Sequence, residues 1–239
     1  MSAESRAAIP VSGQARAALE AVLEMLAEDR SAPSAVRDPE RAWRVHVADS
    51  LTGLEVEALR AARRVADLGA GAGFPGLPVA VARPECRVDL IEATRRKCEF
   101  IRRAIQRAGI KNAEVVCERS EAWAGELPPD GGREGYDAVT ARAVGRLSTL
   151  AELASPLLVQ GGALVAWKGR RDAEEEAELR RASARLAMEA EEVRWVGPYA
   201  GSRNRHLHIL RKTGPTPGNL PRRPGMAKKR PLGAISPRG

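Results

Sequence analysis

Twelve residues, Val65-Ala66-Asp67-Leu68-Gly69-Ala70-Gly71-Ala72-Gly73-Phe74-Pro75-Gly76, constrain this chain more than any other stretch. A short apolar run ends at an acid, and three glycines follow at alternate positions. Glycine has no Cβ, so the backbone can tighten there and press against a ligand. A glycine loop between a strand and a helix is how an α/β fold makes a shelf for a nucleotide. The stretch therefore predicts which end of a parallel sheet holds a ligand. Gly71, Gly73 and Gly76 also satisfy G-x-G-x-x-G, the dinucleotide fingerprint. However, Pro75 and Pro78 donate no backbone N–H, which makes the loop poor material for a pyrophosphate. The plain alternative is a turn that only joins strand to helix.

The elements around the loop alternate. Residues 13–29 read as an amphipathic helix, with Ala18, Val22, Met25 and Leu26 in one stripe. A break follows at Ser31–Pro39, and the spacing of Trp43, Val47, Leu51 and Leu54 predicts a second helix over 40–60. Strands are expected at 64–68, 87–92, 113–117, 136–141 and 163–167. Helices are expected near 76–82 and over 94–108, 147–159 and 172–190. A terminal hairpin pairs 192–196 with 206–210. This order predicts a mainly parallel, seven-stranded sheet with helices on both faces. Three parts follow: a helical cap at 1–63, an α/β domain at 64–212 and a tail at 213–239.

Charge separates the tail from the rest. The net charge is +8, and residues 213–239 hold six basic residues, six prolines and no acid. Such a segment is expected to stay unpacked and to favour an anionic partner such as nucleic acid. Cys86, Cys98 and Cys117 are widely spaced and contain no C-x-x-C, so no zinc site or disulfide framework is expected. Reduced thiols fit a cytoplasmic chain. No apolar run approaches membrane-spanning length, and Met1–Pro10 has no apolar core of a signal peptide.

Several side chains fall at strand ends, where α/β sheets bind ligands. Glu92 ends the second strand about twenty residues beyond the glycines. A carboxylate there accepts ribose hydroxyls or caps the next helix. Ser120 and Glu121 follow the third strand, over an adenine or in a plain solvated loop. Arg142 ends the fourth strand and Lys168 the fifth. Each serves a cofactor carboxylate, a phosphate or a neighbouring acid. The basic residues of helix 94–108 form a wet face or touch phosphate. His46, Asp49 and Ser50 are close on one helix but lack an oxyanion loop, so they read as a hydrogen-bond cluster rather than a triad.

Asp67 with the glycines gives D-x-G-x-G-x-G, which resembles motif I of class I S-adenosylmethionine-dependent methyltransferases. Further segments occur in one order: Ser34–Pro39, His46 with Asp49-Ser50, DLGAGAGFPGLP at Asp67–Pro78, Arg142-Ala143, Trp167-Lys168-Gly169, Arg205-His206-Leu207 and Pro221–Gly225. Together they resemble the bacterial small-subunit ribosomal RNA methyltransferase G family, also called glucose-inhibited division protein B. The resemblance covers roughly residues 34–225 and implies a Rossmann-like fold closed by an antiparallel strand. It implies a monomer that methylates N7 of one guanine in 16S rRNA, within the small ribosomal subunit or its precursor. It also implies S-adenosylmethionine as cofactor, with Gly69 and Phe74 at it, Ser120 and Glu121 at its adenine and Arg142 in its site; the motif and the strand-end acid add Asp67, Gly71, Gly73 and Glu92 to the expected cofactor residues. Arg142 and Lys168 are the expected catalytic pair, and no metal is expected. One departure is Ala32-Pro33-Ser34, where members often carry Asn-Leu-Thr.

The residue chemistry is compatible with that reading. N7 of guanine bears a lone pair and no proton, so alignment and electrostatics suffice. The D/N-P-P-Y/F loop of adenine-amine methylation is absent, as is a cysteine after proline for C5 chemistry. Two other classes compete. An NAD(P)-dependent oxidoreductase needs a catalytic acid, and Tyr136 and Tyr199 lack a Tyr-x-x-x-Lys context. A non-catalytic RNA-binding module would rest on the tail and the basic helix.

Overall fold

The computed structural model describes residues 11–30 and 32–234. The expectations for Met1–Pro10, for Ser31 at the interhelical break and for the last five residues, Arg238 included, lie outside these.

Helix α1 (Gly13–Glu28) starts where Ser12 Oγ accepts the Ala15 N–H at 3.2 Å. Its apolar stripe, Leu19, Val22, Leu23, Met25 and Leu26, is buried. The single helix expected over 40–60 is instead a broken run. It comprises α2 (Pro39–Ala42), a π-helical turn (Trp43–Ala48), α3 (Asp49–Leu51), a 3-10 turn (Thr52–Glu55) and α4 (Glu57–Arg60). Two causes are visible. Hydroxyls compete for backbone: Ser50 donates to His46 O, and Thr52 donates to Asp49 O at 2.7 Å. Gly53 lies so close to the Trp167 ring that no Cβ fits.

Beyond this run come β1 (Arg64–Leu68), α5 (Gly76–Ala82), β2 (Arg87–Ile91), α6 (Arg95–Arg107), β3 (Ala113–Val116) and the short α7 (Ser120–Trp123). They are followed by β4 (Tyr136–Arg142), α8 (Leu147–Ala154), β5 (Leu158–Lys168), α9 (Ala173–Leu186), β6 (Met188–Trp195) and β7 (His206–Lys212). The sheet order is β3-β2-β1-β4-β5-β7-β6. β1 to β5 are parallel, and β7 enters antiparallel between β5 and β6. One face packs on α1, α5 and α6, and the other on α8 and α9. Helix α9 stops at Leu186, earlier than its charge pattern predicts, because Ala187 turns left-handed at φ 49°.

The tail corrects an expectation, because residues 213–234 are packed. Leu220, Ala227 and Leu232 are buried against the α8–α9 face, and α10 (Met226–Lys229) forms within the segment. Arg222 donates from two nitrogens to the Glu152 carboxylate, each at 2.6 Å. Glu152 is only 3% exposed, so this pair anchors the strap. The prolines forbid a ladder but not an irregular strap whose leucines fill a groove.

Candidate active site

The glycine loop leaves β1 and turns back over the sheet's carboxyl edge. Gly69, Gly71 and Gly73 adopt φ of +64°, +60° and +92°, the region that favours glycine. Gly69 and Ala70 donate backbone N–H groups to Ile91 O, tying the loop to the end of β2. A Cβ on Gly73 would collide with Leu77, and one on Gly69 would meet Val144 at 2.9 Å. A Cβ on Gly71 meets nothing nearer than Gly69 O at 3.7 Å. Of these three glycines, only Gly71 presents bare backbone to open space. That is the geometry of a ligand shelf.

Asp67 works from beneath. It is fully buried, accepting from Gly76 N at 2.9 Å and from Thr140 Oγ1 at 2.8 Å. It fixes the far end of the loop and does not open into the cleft. Burial pushes its carboxyl up to about 7, against the pull of those two hydrogen bonds.

Glu92 stands where the sequence put it. One oxygen accepts Gly71 N–H at 3.1 Å and the other accepts Thr94 N–H at 2.8 Å. The carboxylate therefore braces the loop against the start of α6. Each oxygen keeps a second lone pair for a ribose hydroxyl. Ser120 and Glu121 begin α7 at the neighbouring strand end, with their side chains 3.3 Å apart. Glu121 Oε1 also accepts Gly225 N–H at 2.7 Å, so the strap is fastened to this rim.

Phe74 is 5% exposed, and its ring stacks on His46 at 4.8 Å and 16°. The Arg142 guanidinium lies 5.7 Å from the same ring. Arg142 also donates to Asp49 Oδ2 at 3.1 Å and to Val45 O at 3.2 Å. Burial, with Arg142 beside it, pulls His46 down to about 4, so the imidazole is neutral near pH 7. Ser34 Oγ and His46 Nε2 are 2.9 Å apart. The cluster at 46–50 is thus a wall of the cleft. The cluster is visible in the sequence, but its partners Phe74 and Arg142 are not, because they lie far from it along the chain. The spacing of His46 and Asp49 was the available signal.

Lys168 donates to Glu175 Oε1 at 2.7 Å and to Gly145 O at 3.0 Å. Both expected catalytic cations therefore hold a carboxylate partner. They also share a cavity of about 200 Å³ with Asp49, Trp167, Arg205 and His206. This cavity opens at the ends of β4 and β5, beside the glycine loop. Among the described residues no cluster of His, Cys, Asp or Glu fits a metal ion, and no helix is long and apolar enough to cross a membrane. Tyr136 is fully buried and donates to Asp89 at 2.8 Å, so it offers no acid to a nicotinamide site.

Parallel strands, an inserted antiparallel β7, a glycine shelf and an acid directly after β2 define a class I S-adenosylmethionine-dependent methyltransferase. Solved structures agree in fold. A predicted O-methyltransferase from Agrobacterium tumefaciens aligns with TM-score 0.52 at 26% identity, over 70% of this chain and 80% of that one. Fibrillarin from Aeropyrum pernix, with natively bound S-adenosyl-L-methionine, aligns with TM-score 0.52 at 15% identity, over 68% and 72%. The profile described as rRNA small subunit methyltransferase G matches residues 18–207, and this chain belongs to that family. Two relatives bearing that name are those of Rubrobacter xylanophilus, 44% identical over 82% of this chain and 75% of its own length, and Pelotomaculum thermopropionicum, 42% identical over 78% and 77%.

Proposed function

We propose that this chain methylates N7 of a guanine in 16S rRNA of the small ribosomal subunit, acting in the cytoplasm. The observation that carries the reading is a glycine shelf beside a cavity lined by Arg142, Lys168 and Arg205, whose one acid, Asp49, is paired with Arg142. The names of the relatives support small-subunit rRNA as substrate.

The residues present fit the cofactor. Gly71 offers backbone without a side chain, and Glu92, which accepts the Gly71 N–H, would take the ribose hydroxyls. Ser120 and Glu121, at the start of α7, would meet the adenine edge. Gly69, Gly73 and Phe74 shape the shelf, and Asp67 holds it from below. When bound, S-adenosylmethionine supplies a methyl on a cationic sulfur, which keeps the bonding pair as the N7 lone pair takes the methyl. The acceptor loses no proton, so no general base is required, and the base ends the reaction positively charged. Arg142 and Lys168 hold O6 or a phosphate, and the protein's main task is alignment. Arg223, Lys228, Lys229 and Arg230, exposed on the packed strap, add phosphate contacts.

The test is mapping of 7-methylguanine in 16S rRNA. RNA from a strain lacking this chain should miss one such modification, and the purified protein with S-adenosylmethionine should restore it. Full modification in the deletion strain overturns the reading.

A further inference from the structure

Two nitrogens of the Arg142 guanidinium meet the broken N-terminal run in different ways. Nη1 donates to Val45 O at 3.2 Å, to His46 O at 3.5 Å and to Asp49 Oδ2 at 3.1 Å. Nη2 lies 3.4 Å from His46 Nδ1. The second ring nitrogen, Nε2, is 2.9 Å from Ser34 Oγ, which also accepts the Val36 N–H at 3.1 Å. A guanidinium only donates, so Nδ1 must be the acceptor. A neutral imidazole has one N–H, which this contact places on Nε2, directed at the Ser34 oxygen. The ring is therefore held in a single tautomer between two distant parts of the chain. Its face is committed as well, stacked on Phe74 of the glycine loop at 4.8 Å.

We propose that His46 is a positioning residue for methyl transfer: its unprotonated Nδ1 sets the tilt of the Arg142 guanidinium at the cavity wall. This rests on the reading above that Arg142 acts on the acceptor. Asp49 and the two carbonyls all bind Nη1, so they hold one corner of the guanidinium and leave its plane free to swing about that corner. A second nitrogen held at Nδ1 removes that freedom, because two-point contacts give a guanidinium its geometric specificity. Arg142 lines the cavity at the strand ends with 16% of its side chain exposed. A reaction that works by alignment is sensitive to small misplacement of such a group. The choice of an imidazole has its own logic. Asp49 already balances the arginine's charge, and a neutral acceptor orients the guanidinium without neutralising it further. A protonated ring would not serve, since it carries N–H at both nitrogens and would turn a donor and a positive charge toward a cation. Burial and the neighbouring Arg142 keep the ring neutral near pH 7.

The experiment has a spectroscopic arm and a kinetic arm. The chain holds only three histidines, so the ring nitrogens of His46 can be assigned by NMR of 15N-histidine-labelled protein. Wild type should show Nδ1 bare and Nε2 protonated at neutral pH, and Arg142→Ala should let the ring populate both tautomers. A wild-type ring protonated on Nδ1 overturns the proposal, whatever the variants do. Single-turnover methyl transfer at saturating rRNA is then measured for His46→Phe, which keeps a ring against Phe74 but has no acceptor. It should be slower than wild type by roughly 10- to 100-fold, as expected for a lost hydrogen bond to a charged group. Its S-adenosylhomocysteine affinity should match wild type. His46→Asn loses the stack but can place an oxygen where Nδ1 stands, and should be faster than His46→Phe by more than about threefold. Equal rates in the two variants overturn the proposal, because the acceptor would then not matter. A loss of S-adenosylhomocysteine affinity as large as the loss of rate also overturns it, assigning His46 to the shelf through Phe74. If His46→Phe fails to fold, the tautomer and the rate of His46→Asn against wild type still decide. An Arg142→Ala chain as fast as wild type defeats the reading of Arg142 itself, and the inference with it, even where the tautomer is as described.

Discussion

Gly71 and Gly73 sit two residues apart, yet a side chain has different consequences at each. At Gly73 it strikes Leu77, a buried core residue. At Gly71 it enters open space, so the cost to the fold is the positive φ alone, about 1–2 kcal/mol. Gly71→Val should therefore stay folded while calorimetry shows S-adenosylhomocysteine affinity reduced more than about tenfold, roughly 1.4 kcal/mol. Unchanged affinity would remove the loop from the cofactor site. Asp67 gives a second prediction at this scale. Its folded pKa of about 7 lies above the ordinary 3.8. Between those values the folded chain keeps a proton that the unfolded chain has released. This group's contribution is therefore fully present below about pH 4 and is lost as pH rises toward 7. Asp67→Asn has no such proton. Across that window wild type should lose stability relative to the variant, by at most about 1.4 kcal/mol per pH unit. Denaturant unfolding at several pH values checks it, and a pH-independent difference would mean that Asp67 titrates normally.

Among the elements, the C-terminal strap carries the clearest test. Arg222→Ala leaves Glu152 buried and unpaired, and breaking a buried pair in this way costs about 3 kcal/mol. A lowered thermal midpoint is expected, whereas an unchanged one would show that the strap lies loose. What could be read from sequence divides along the same line. The glycine loop, Glu92 and the starts of most strands were legible because their causes are local: residue type, period and a short span. The break in the 40–60 helix was not legible, since beside the local hydroxyls of Ser50 and Thr52 it depends on a tryptophan more than a hundred residues away that packs on Gly53. The Asp49–Arg142 contact spans 93 positions and lay beyond any periodicity argument. The strap was misread for a related reason. Its prolines and cations pointed to a loose end, while its three buried apolar residues are too sparse to form a pattern. The acid that anchors it, Glu152, sits among apolar residues in α8, and its partner lies 70 positions away.

Over the whole molecule, the packed strap changes how its charge is tested. Deleting it would expose the α8–α9 groove and confuse stability with affinity. Neutralising Arg223, Lys228, Lys229 and Arg230 keeps the anchor intact. If all four meet phosphate, the log–log salt dependence of rRNA affinity should flatten by about 3, taking roughly 0.7–0.9 per contact. An unchanged slope would leave the strap a purely structural element. The sheet order has a kinetic consequence of another kind. Among the described residues β6 has no neighbour except β7, and β7 is the last strand in chain order. β6 must wait for its partner before it can join the sheet. The two then dock on β5 as one antiparallel unit. The glycine shelf and Glu92 belong to β1, β2 and their loops, whose pairing needs nothing beyond β4 on one side. Arg205 and His206, which complete the cavity, arrive with the docking hairpin. During refolding the donor half of the cleft can therefore be built while the acceptor half does not yet exist, and the two halves acquire hydrogen-exchange protection in that order.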